Sequence, residues 1–459
     1  MEIRRMKARV LVISYFFPPD GGPGTQRVAK FCKYLWRYGW SPTVLTRTIP
    51  ATRGRWDPED CSLMRDIPSS VRVIRVDETD SELKWAAHLP VLDSPHIMRW
   101  NAAAFARTKK LLETEQFDLV FITMSPFDLA HLGRRIQTQL GVPVIYDLRD
   151  PWALDGWRSH RTRKHWRRDF DCMRATLMNA DGVIANTPEA KKVIQRECRE
   201  VNPLRFYVIP NGYDESDLTD PFHSANHRDP SIFRIVHSGS LHSRELYARQ
   251  NLKGKLRSFF EYSGEQIDPT GRTPFYLLKA LQRLNRRGHP LVKHVQLRLI
   301  GTIDDATRQC VTESRLQHLV ELVDYLPHQE SVEQLRTADA LFLPLHGLPP
   351  GQRSRIVPGK TYEYLAARRP ILACLPEGDA RELIERSGNG WCADPCDEAA
   401  IADALASLYE AWERGDLDRL QIPSWLRNYE RRQLTARLAE AFDEIVEPQY
   451  AQGVWRTAA

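Results

Sequence analysis

Residues 182–190 read GVIANTPEA, in which a short β-branched run leads directly into a helix start. The Thr187 hydroxyl can accept a hydrogen bond from the first helical turn, and Pro188 suits the first helical position, where no N–H is needed. A proline would disrupt a continuous strand or helix, so the strand must end before it. Residues 121–128, FITMSPFD, repeat the pattern, with Ser125 as the predicted cap. Both junctions predict a strand followed by a helix.

Strand and helix patterns alternate on both sides of these junctions. In the first half, β-branched runs predict strands at residues 10–17, 42–46, 71–76, 119–123, 142–146, 182–185 and 207–209. In the second half, the strand pattern returns at residues 233–237, 295–301, 319–323, 340–345 and 371–374. Between the halves, residues 211–231 are rich in Asp, Asn, Pro and His and predict a linker. The alternation predicts an α/β fold of two Rossmann-like domains, with a ligand site in the central cleft between them, where the carboxyl ends of the strands meet.

Composition and charge narrow the class of protein. The chain has 459 residues, 42% of them hydrophobic and 27% charged, which excludes a disordered or collagen-like chain. No stretch approaches the roughly 18 apolar residues of a membrane span. The run at 10–17 ends in PPDGG and is interpreted as a buried strand rather than a signal peptide, so a cytoplasmic location is expected. Residues 1–220 hold 34 basic and 28 acidic residues, so they carry the whole net charge of +6 and favour an anionic ligand or surface.

A glycine-rich turn follows the first predicted strand. Residues 18–26 read PPDGGPGTQ, and Gly21 and Gly22 would let the backbone approach a ligand beside a helix N-terminus. The dinucleotide fingerprint G-x-G-x-x-G is not met, because position 27 is Arg27. A tight turn without a ligand remains the alternative.

Two further candidates lie in the first half. Asp150, in the run YDLRDPW at 146–152, follows a predicted strand and precedes a proline that keeps it extended. It could bind hydroxyls or tune a proton transfer, whereas a structural loop network between Asp147 and Arg149 is the alternative. His131 lies early on the helix after Ser125, where a purely structural histidine is the alternative.

The strongest local signal in the second half is VPGKTYEYLAARRPILA at residues 357–373. Lys360 and Glu363 are three residues apart and share one helix face. A lysine in the first helical turn is unfavourable unless an anion compensates, so we expect Lys360 to meet a phosphate and Glu363 to accept hydrogen bonds from a diol. An exposed ion pair is the alternative reading.

Two segments allow more than one interpretation. Arg158, Arg161, Arg163, Lys164, Arg167 and Arg168 crowd eleven residues beside Trp157 and Trp166. They could form a membrane-surface or nucleic-acid patch, or a solvated helix face followed by Asp169 and Asp171. Residues 243–270 interrupt the strand–helix pattern and are interpreted as an insertion that serves as a flap or a partner contact.

Taken together, these segments resemble the family-4 glycosyltransferases, retaining sugar-transfer enzymes of GT-B architecture. The resemblance rests on VLVISYFFPPDGGPGTQRVAKF, YDLRDPW, ADGVIANT, VIPNGYD, HSGSL and PGKTYEYLAARRPILA, in this order along nearly the whole chain. It implies an acceptor-binding domain at residues 1–212 and a nucleotide-sugar-binding domain at 213–424. It also implies that a C-terminal helix at 425–446 crosses back to the first domain.

The resemblance also implies roles for single residues. Gly21 and Gly22 would lie against the donor phosphates or the reacting centre. Gly239, Ser240 and Arg272 would meet the pyrophosphate, with Lys360 assisting and Glu363 holding the ribose. No metal or other cofactor is expected, because cationic side chains and helix N-termini can neutralise the leaving diphosphate. Many family members carry a glutamate eight positions before the one matched by Glu363, but here that position is Arg355, so the sugar is not identified.

The predicted function is transfer of a sugar from a nucleoside-diphosphate sugar to a glycan or lipid-linked acceptor, as in polysaccharide biosynthesis. Asp150 and His131 are the predicted acceptor-side catalytic residues. A nucleotide-sugar epimerase of the same fold and a non-catalytic scaffold are the alternatives. We expect no nucleic-acid partner, because the net charge is small and no recognition motif is present. The basic first half favours peripheral contact with an anionic membrane, at the inner face.

Overall fold

The computed structural model describes residues 8–50, 58–80, 95–218, 229–248, 261–419 and 421–451. The described chain divides into two compact units. Unit 1 comprises Met1–Ala153, Arg168–Pro210 and Arg431–Ala459, and unit 2 comprises Leu154–Arg167 and Asn211–Glu430, counting the described residues of each range. Each unit is considered by itself below.

Unit 1 is built on a seven-stranded parallel sheet in the order β3-β2-β1-β4-β5-β6-β7. Its strands are β1 Ala8–Ile13, β2 Trp40–Arg47, β3 Arg72–Val76, β4 Leu119–Thr123, β5 Val144–Leu148, β6 Gly182–Ala185 and β7 Phe206–Val208. The helices before the linker are α1 Pro23–Tyr34, α2 Pro95–Thr114, α3 Leu129–Arg135, α4 Arg163–Met178 and α5 Pro188–Glu197. The first five residues of α4 belong to unit 2 and the rest to unit 1. Strands β4, β5 and β6 are buried along their whole length, which is why they have continuous apolar runs rather than an alternating pattern.

Unit 2 has a six-stranded parallel sheet in the order β10-β9-β8-β11-β12-β13. Its strands are β8 Phe233–Ser238, β9 Val295–Ile300, β10 Val320–Val323, β11 Ala340–Pro344, β12 Ile371–Cys374 and β13 Gly390–Ala393. Its helices are α6 Glu215–Leu218, α7 Ser243–Ala248, α8 Phe275–Arg286, α9 Leu291–His294, α10 Asp305–Ser314, α11 His328–Thr337, α12 Lys360–Ala366, α13 Asp379–Ser387 and α14 Glu398–Glu413. The predicted fold of two Rossmann-like domains is confirmed.

The strand order places a topological switch point in each sheet. The chain reverses its direction of winding between β1 and β4 in unit 1, and between β8 and β11 in unit 2. In open parallel sheets, ligands bind outside the carboxyl ends of the two strands that flank this point. The loops that follow these four strands are therefore the places to look for a site.

The last helix, α15 Arg431–Ala451, belongs to unit 1. Leu434, Leu438 and Phe442 lie in the same core cluster as residues of β1 and β4, and the Phe442 ring lies 5.1 Å from that of Trp40. The helix begins at Arg431 rather than at 425, and the preceding turn, Ser424–Tyr429, belongs to unit 2, where Leu426 is buried.

Other expectations differ from the structure in their details. Thr187 caps α5 by accepting a hydrogen bond from the Ala190 N–H, as predicted. The prediction that Ser125 caps the next helix is wrong, because α3 begins only at Leu129, beyond a turn. Of the predicted insertion at 243–270, residues 249–260 lie outside the described residues, as do 219–228 of the linker. Within the described part of the chain, no helix is both long and apolar enough to cross a membrane.

Candidate functional site

Lys360 lies at the carboxyl end of the unit 2 sheet. It is half-buried at the first position of α12, and its Nζ is 3.3 Å from Nε2 of His237 on β8. A Cβ built on Gly239 would lie only 2.3 Å from the same Nζ, and Gly239 has a φ of +127°, which favours glycine. The prediction that Lys360 and Gly239 act together therefore has a geometric basis at the switch point.

The hydrogen bonds of His237 show its protonation state. Its Nδ1 lies 2.9 Å from the carbonyl oxygen of Phe342, and a carbonyl only accepts, so Nδ1 carries the proton. Burial, with the positive charge of Lys360 as the next cause, holds the pKa of His237 well below its ordinary value. A neutral ring with its proton on Nδ1 offers the Nε2 lone pair to the Lys360 ammonium.

Arg272 brings a second positive charge to the same place. Burial is the largest cause that lowers the pKa of three neighbours, His237, His346 and Lys360. The charge of Arg272 lowers the pKa of each of them further. Burial, followed by Arg272, lowers the pKa of Lys360 to about 7. We call these four side chains, His237, Arg272, His346 and Lys360, the basic cluster. Its charge calls for an anion, because two cations packed together in a half-buried site repel each other.

Glu363 is half-buried one turn after Lys360, and its negative charge opposes the lowering of the Lys360 pKa. Lys360 forms no ion pair with Glu363 within 4 Å in the described structure, so the reading as a simple exposed ion pair is wrong. Ser240 is half-buried in the loop after Gly239. The structure thus brings together the five predicted second-half residues, Gly239, Ser240, Arg272, Lys360 and Glu363, around one switch point.

Sequence reasoning missed two residues of this site. His346 follows β11, on the other side of the switch point from Gly239, and is 1% exposed. Trp157, which we had placed in the basic segment, belongs to unit 2 and donates from Nε1 to His346 Nδ1 at 3.1 Å. Its ring centroid is 5.4 Å from the Arg272 guanidinium carbon. The position of His346 at a strand end was the one available signal, whereas nothing local to Trp157 indicated its contact 189 positions away.

Arg355 occupies the position where many family-4 enzymes have a glutamate. Its guanidinium donates to the carbonyl oxygens of Leu154 and Gly264. Its Nε is 3.3 Å from Oε1 of Glu265, which is 6% exposed. Arg355 therefore joins two loops of unit 2, and its charge is matched by a nearly buried carboxylate.

The other predicted site is the glycine-rich turn of unit 1, at residues 18–26. Gly21 donates its N–H to the Pro58 carbonyl at 2.6 Å, and Gly22, with φ +91°, precedes α1. A Cβ on Gly24 would lie 1.8 Å from Nη1 of Arg149, so a larger residue there would displace that guanidinium. Thr25, at 1% exposure, has a buried hydroxyl that makes no hydrogen bond within the described residues. The start of α1 thus combines a buried hydroxyl that makes no hydrogen bond within the described residues with a nearby cation.

The alternative reading, a loop network between Asp147 and Arg149, is not what forms, because Asp147 pairs with a different arginine. Asp147 accepts two hydrogen bonds from Arg27, at 2.9 Å from Nε and 2.7 Å from Nη2, and both side chains are 0% exposed. Arg27 also donates to the carbonyls of Ile209 and Pro210, each at 2.8 Å. This pair ties α1 to β5 and to the end of β7, while Arg149 is left beside Gly24.

Asp150 and His131 are both half-buried in unit 1. Asp150 acts on the neighbouring Arg149, since burial lowers the pKa of that guanidinium and the Asp150 charge opposes the change. Burial also lowers the pKa of His131, and its charged neighbours in the described structure are Asp128, Arg134 and Asp169. The structure therefore places Asp150 beside Arg149, whose guanidinium lies at the start of α1, but does not pair it with His131.

The loop after Asp150 is held rigidly. Trp152 is 1% exposed and has a φ of +50°, an unfavourable conformation for a bulky residue. Its ring is stacked on Phe127 at 5.2 Å, and its Nε1 donates to Asp169 at 2.9 Å. These contacts compensate for the backbone strain and keep Asp150 in place.

The comparisons with known proteins give two family matches. Residues 24–217 match the family described as Glycosyltransferase Family 4, and residues 270–411 match the family described as Glycosyl transferases group 1. The second match begins next to Arg272, directly after the predicted insertion. No curated protein sequence matches the chain.

Three solved structures illustrate the similarity in fold. Sucrose-phosphate synthase from Thermosynechococcus elongatus has a TM-score of 0.58 and 16% identity, covering 97% of this chain and 98% of that chain. Anabaena HepE in complex with UDP has a TM-score of 0.56 and 16% identity, covering 98% and 99%. WaaG, a glycosyltransferase involved in lipopolysaccharide biosynthesis, has a TM-score of 0.56 and 14% identity, covering 97% and 100%. At these identities the similarity establishes the architecture, with two Rossmann-like domains in common.

Proposed function

Because this chain belongs with the family-4-like glycosyltransferases of GT-B architecture, we propose that it uses a nucleoside-diphosphate sugar and retains the anomeric configuration. The acceptor would be a glycan or a lipid-linked saccharide. The observation that carries the donor assignment is the basic cluster, where Lys360 faces His237 and Gly239 instead of a carboxylate. A bound diphosphate would supply the missing negative charge.

In this proposal the basic cluster serves the leaving group. The bond from the anomeric carbon to the diphosphate breaks as the acceptor oxygen attacks, so negative charge grows on the diphosphate. Lys360 and Arg272 are already positioned where that charge would develop, and preorganised charges of this kind stabilise a transition state most effectively. Glu363 would accept hydrogen bonds from the ribose hydroxyls. These cations can neutralise the leaving group, so we propose that no metal is required.

The acceptor would bind to unit 1. Asp150 is held by the rigid loop at Trp152, and the pKa of His131 is lowered, mainly by burial, so the imidazole is neutral at pH 7. A carboxylate and a neutral imidazole can each accept a proton or orient a hydroxyl. We propose that Asp150 orients the acceptor hydroxyl and that His131 has a supporting role.

A donor screen tests the proposal. We expect one nucleoside-diphosphate sugar to raise the unfolding temperature, because a site filled at 100 times its Kd stabilises the fold by about 2.7 kcal/mol. Release of the nucleoside diphosphate should then require an acceptor and continue in EDTA. Turnover of the donor alone to an isomeric nucleotide-sugar would favour the epimerase. Absence of stabilisation by every nucleotide-sugar would favour the scaffold and contradict the proposal.

We also propose a peripheral membrane contact, supported by the basic segment. Arg161, Arg163, Lys164 and Arg167 are all exposed. The two tryptophans of this segment are engaged in contacts of their own. Trp157 donates to His346, and the half-buried Trp166 packs at 4.8 Å from the Tyr262 ring. The contact would therefore depend on charge rather than on insertion of aromatic side chains.

Co-sedimentation with anionic vesicles tests this contact. We expect binding to vesicles with 30% phosphatidylserine at low salt, and its loss at high salt, because exposed charges are screened. Replacing Arg161, Arg163 and Lys164 with alanine should abolish binding, since each basic residue contributes about 1 kcal/mol at such a surface. The matched control replaces Arg286, Arg287 and Lys293, three exposed basic residues elsewhere in unit 2. Equal loss in both triple variants, or no binding by the wild type, would contradict a specific contact.

A further inference from the structure

Residues 154–162, which we call the strap, come from the first half of the chain but are attached to unit 2. His160 and Tyr262 exchange two backbone hydrogen bonds, of 2.7 and 2.8 Å. Gly156 packs so closely that a Cβ there would lie 2.4 Å from Cγ2 of Ile267. Arg355 adds its hydrogen bond to the Leu154 carbonyl. The strap is thus held by the described end of the predicted insertion and by the loop before α12.

This attachment sets the position of Trp157. The indole packs on the imidazole of His242 with a centroid separation of 4.2 Å and lies beside Arg272. Its only ring N–H points at Nδ1 of His346, at 3.1 Å. An indole N–H can only donate, so His346 Nδ1 must be the acceptor in this pair.

The protonation of His346 follows from that hydrogen bond. A ring that accepts at Nδ1 and is neutral carries its proton on Nε2. Burial, followed by Arg272 and then His242, lowers the pKa of His346 to about 3, so the ring is neutral at physiological pH. His346 Nε2 is buried and makes no hydrogen bond to any described residue. The basic cluster therefore contains an N–H donor with a fixed orientation and no protein acceptor in the described chain.

We propose that His346 Nε2–H donates a hydrogen bond to a diphosphate oxygen of the bound donor, and that Trp157 is the positioning residue that sets its tautomer. This inference rests on the proposed function, because it names a further contact in the same site. His346 follows β11 and Gly239 follows β8, so the two flank the switch point where a ligand binds. The strap, through Trp157, makes the first half of the sequence part of the nucleotide-binding unit.

Binding of UDP, ADP and GDP, measured by isothermal titration calorimetry, tests the contact. For the nucleotide that binds the wild type, we expect His346→Phe to weaken binding about 10- to 150-fold, the range for a hydrogen bond to a charged group. His346→Gln, which keeps an N–H donor, should recover part of this loss. Trp157→Phe should weaken binding by a smaller factor. Trp391→Phe is the matched control and should bind like the wild type, since its indole Nε1 donates to Ser407, away from the strap.

A second measurement reports on the tautomer directly. In the protein with ¹⁵N-labelled histidine, His346 should show a protonated Nε2 and an unprotonated Nδ1, and Trp157→Phe should give a mixture of tautomers. Wild-type affinity in His346→Phe, or a proton on Nδ1 in the wild type, would overturn the inference while leaving the proposed function intact. Failure of the wild type to bind any of the three nucleotides would overturn both.

Discussion

Lys360→Met should weaken binding of the donor nucleoside diphosphate about 10- to 150-fold without lowering the unfolding temperature. The loss corresponds to the 1.5–3 kcal/mol typical of a hydrogen bond to a charged group. The fold should not suffer, because Lys360 contacts His237 and Gly239 rather than a carboxylate. Calorimetric titration and thermal unfolding of the same preparations provide both numbers.

The pH dependence of stability separates this effect from general damage. Burial, followed by Arg272, lowers the pKa of Lys360 to about 7, whereas an unfolded lysine titrates near 10.4. The unfolded chain therefore binds more protons between these values, so the cost of the buried ammonium is complete below pH 7 and disappears as the pH approaches 10.4. Lys360→Met should accordingly be more stable than the wild type at pH 6, and the difference should shrink by pH 9.

The affinity for the donor should also depend on the protonation of Lys360, and it should fall as the pH rises. Between pH 7.5 and 9 the phosphate charge is constant, because its second pKa is near 6, while Lys360, whose pKa in the unbound protein is about 7, must take up a proton to bind the phosphate as a cation. Wild-type affinity should fall over this range, and that of Lys360→Met should stay flat. Lys293→Met, which removes an exposed lysine of unit 2, is the matched control. Donor binding by Lys360→Met as tight as that of the wild type would contradict the assignment of the site.

Arg27→Met should destabilise the protein by about 3–5 kcal/mol. The substitution leaves Asp147 buried without its partner, and removing one side of a buried ion pair costs this much. It also removes the hydrogen bonds to the carbonyls of Ile209 and Pro210. The free energy of unfolding from urea titration of wild type and variant measures the loss.

Two comparisons make this prediction specific. The double variant Arg27→Met with Asp147→Leu should lose less than the sum of the single changes, because the two sites are coupled. Arg9→Met breaks a more exposed ion pair, in which the side chain of Arg9 is 36% exposed and that of Glu115 is 21% exposed. This substitution should cost less than about 1 kcal/mol. A cost for Arg27→Met as small as that for Arg9→Met would show that the buried pair does not hold unit 1 together.

Much of the fold was predictable because its signals are local. Strands β4, β6 and β12 match their predicted bounds, since apolar runs of that length between turn signals have few alternatives. The cap at Thr187 followed from one hydroxyl and one proline. The similar pattern at Ser125 failed, because the chain forms a turn there and the helix begins at Leu129.

Of the predicted site residues of the second half, only Lys360 and Glu363 came from a local signal, because a lysine in the first helical turn is unfavourable without an anion. Gly239, Ser240 and Arg272 were implied by the family resemblance. Their partners were not predictable in this way. Asp147 pairs with Arg27, 120 positions away, rather than with nearby Arg149.

The sequence by itself determined that this protein has two parallel α/β domains and where their strands end, because hydrophobic periodicity and helix starts depend on neighbours within a few residues. Only the tertiary structure decided which side chains pair with each other and which ring nitrogen of a histidine carries the proton. Trp157, Arg355 and His346 come from separate loops, and burial and distance in the folded chain set their hydrogen bonds and protonation. These properties do not exist until the chain has packed.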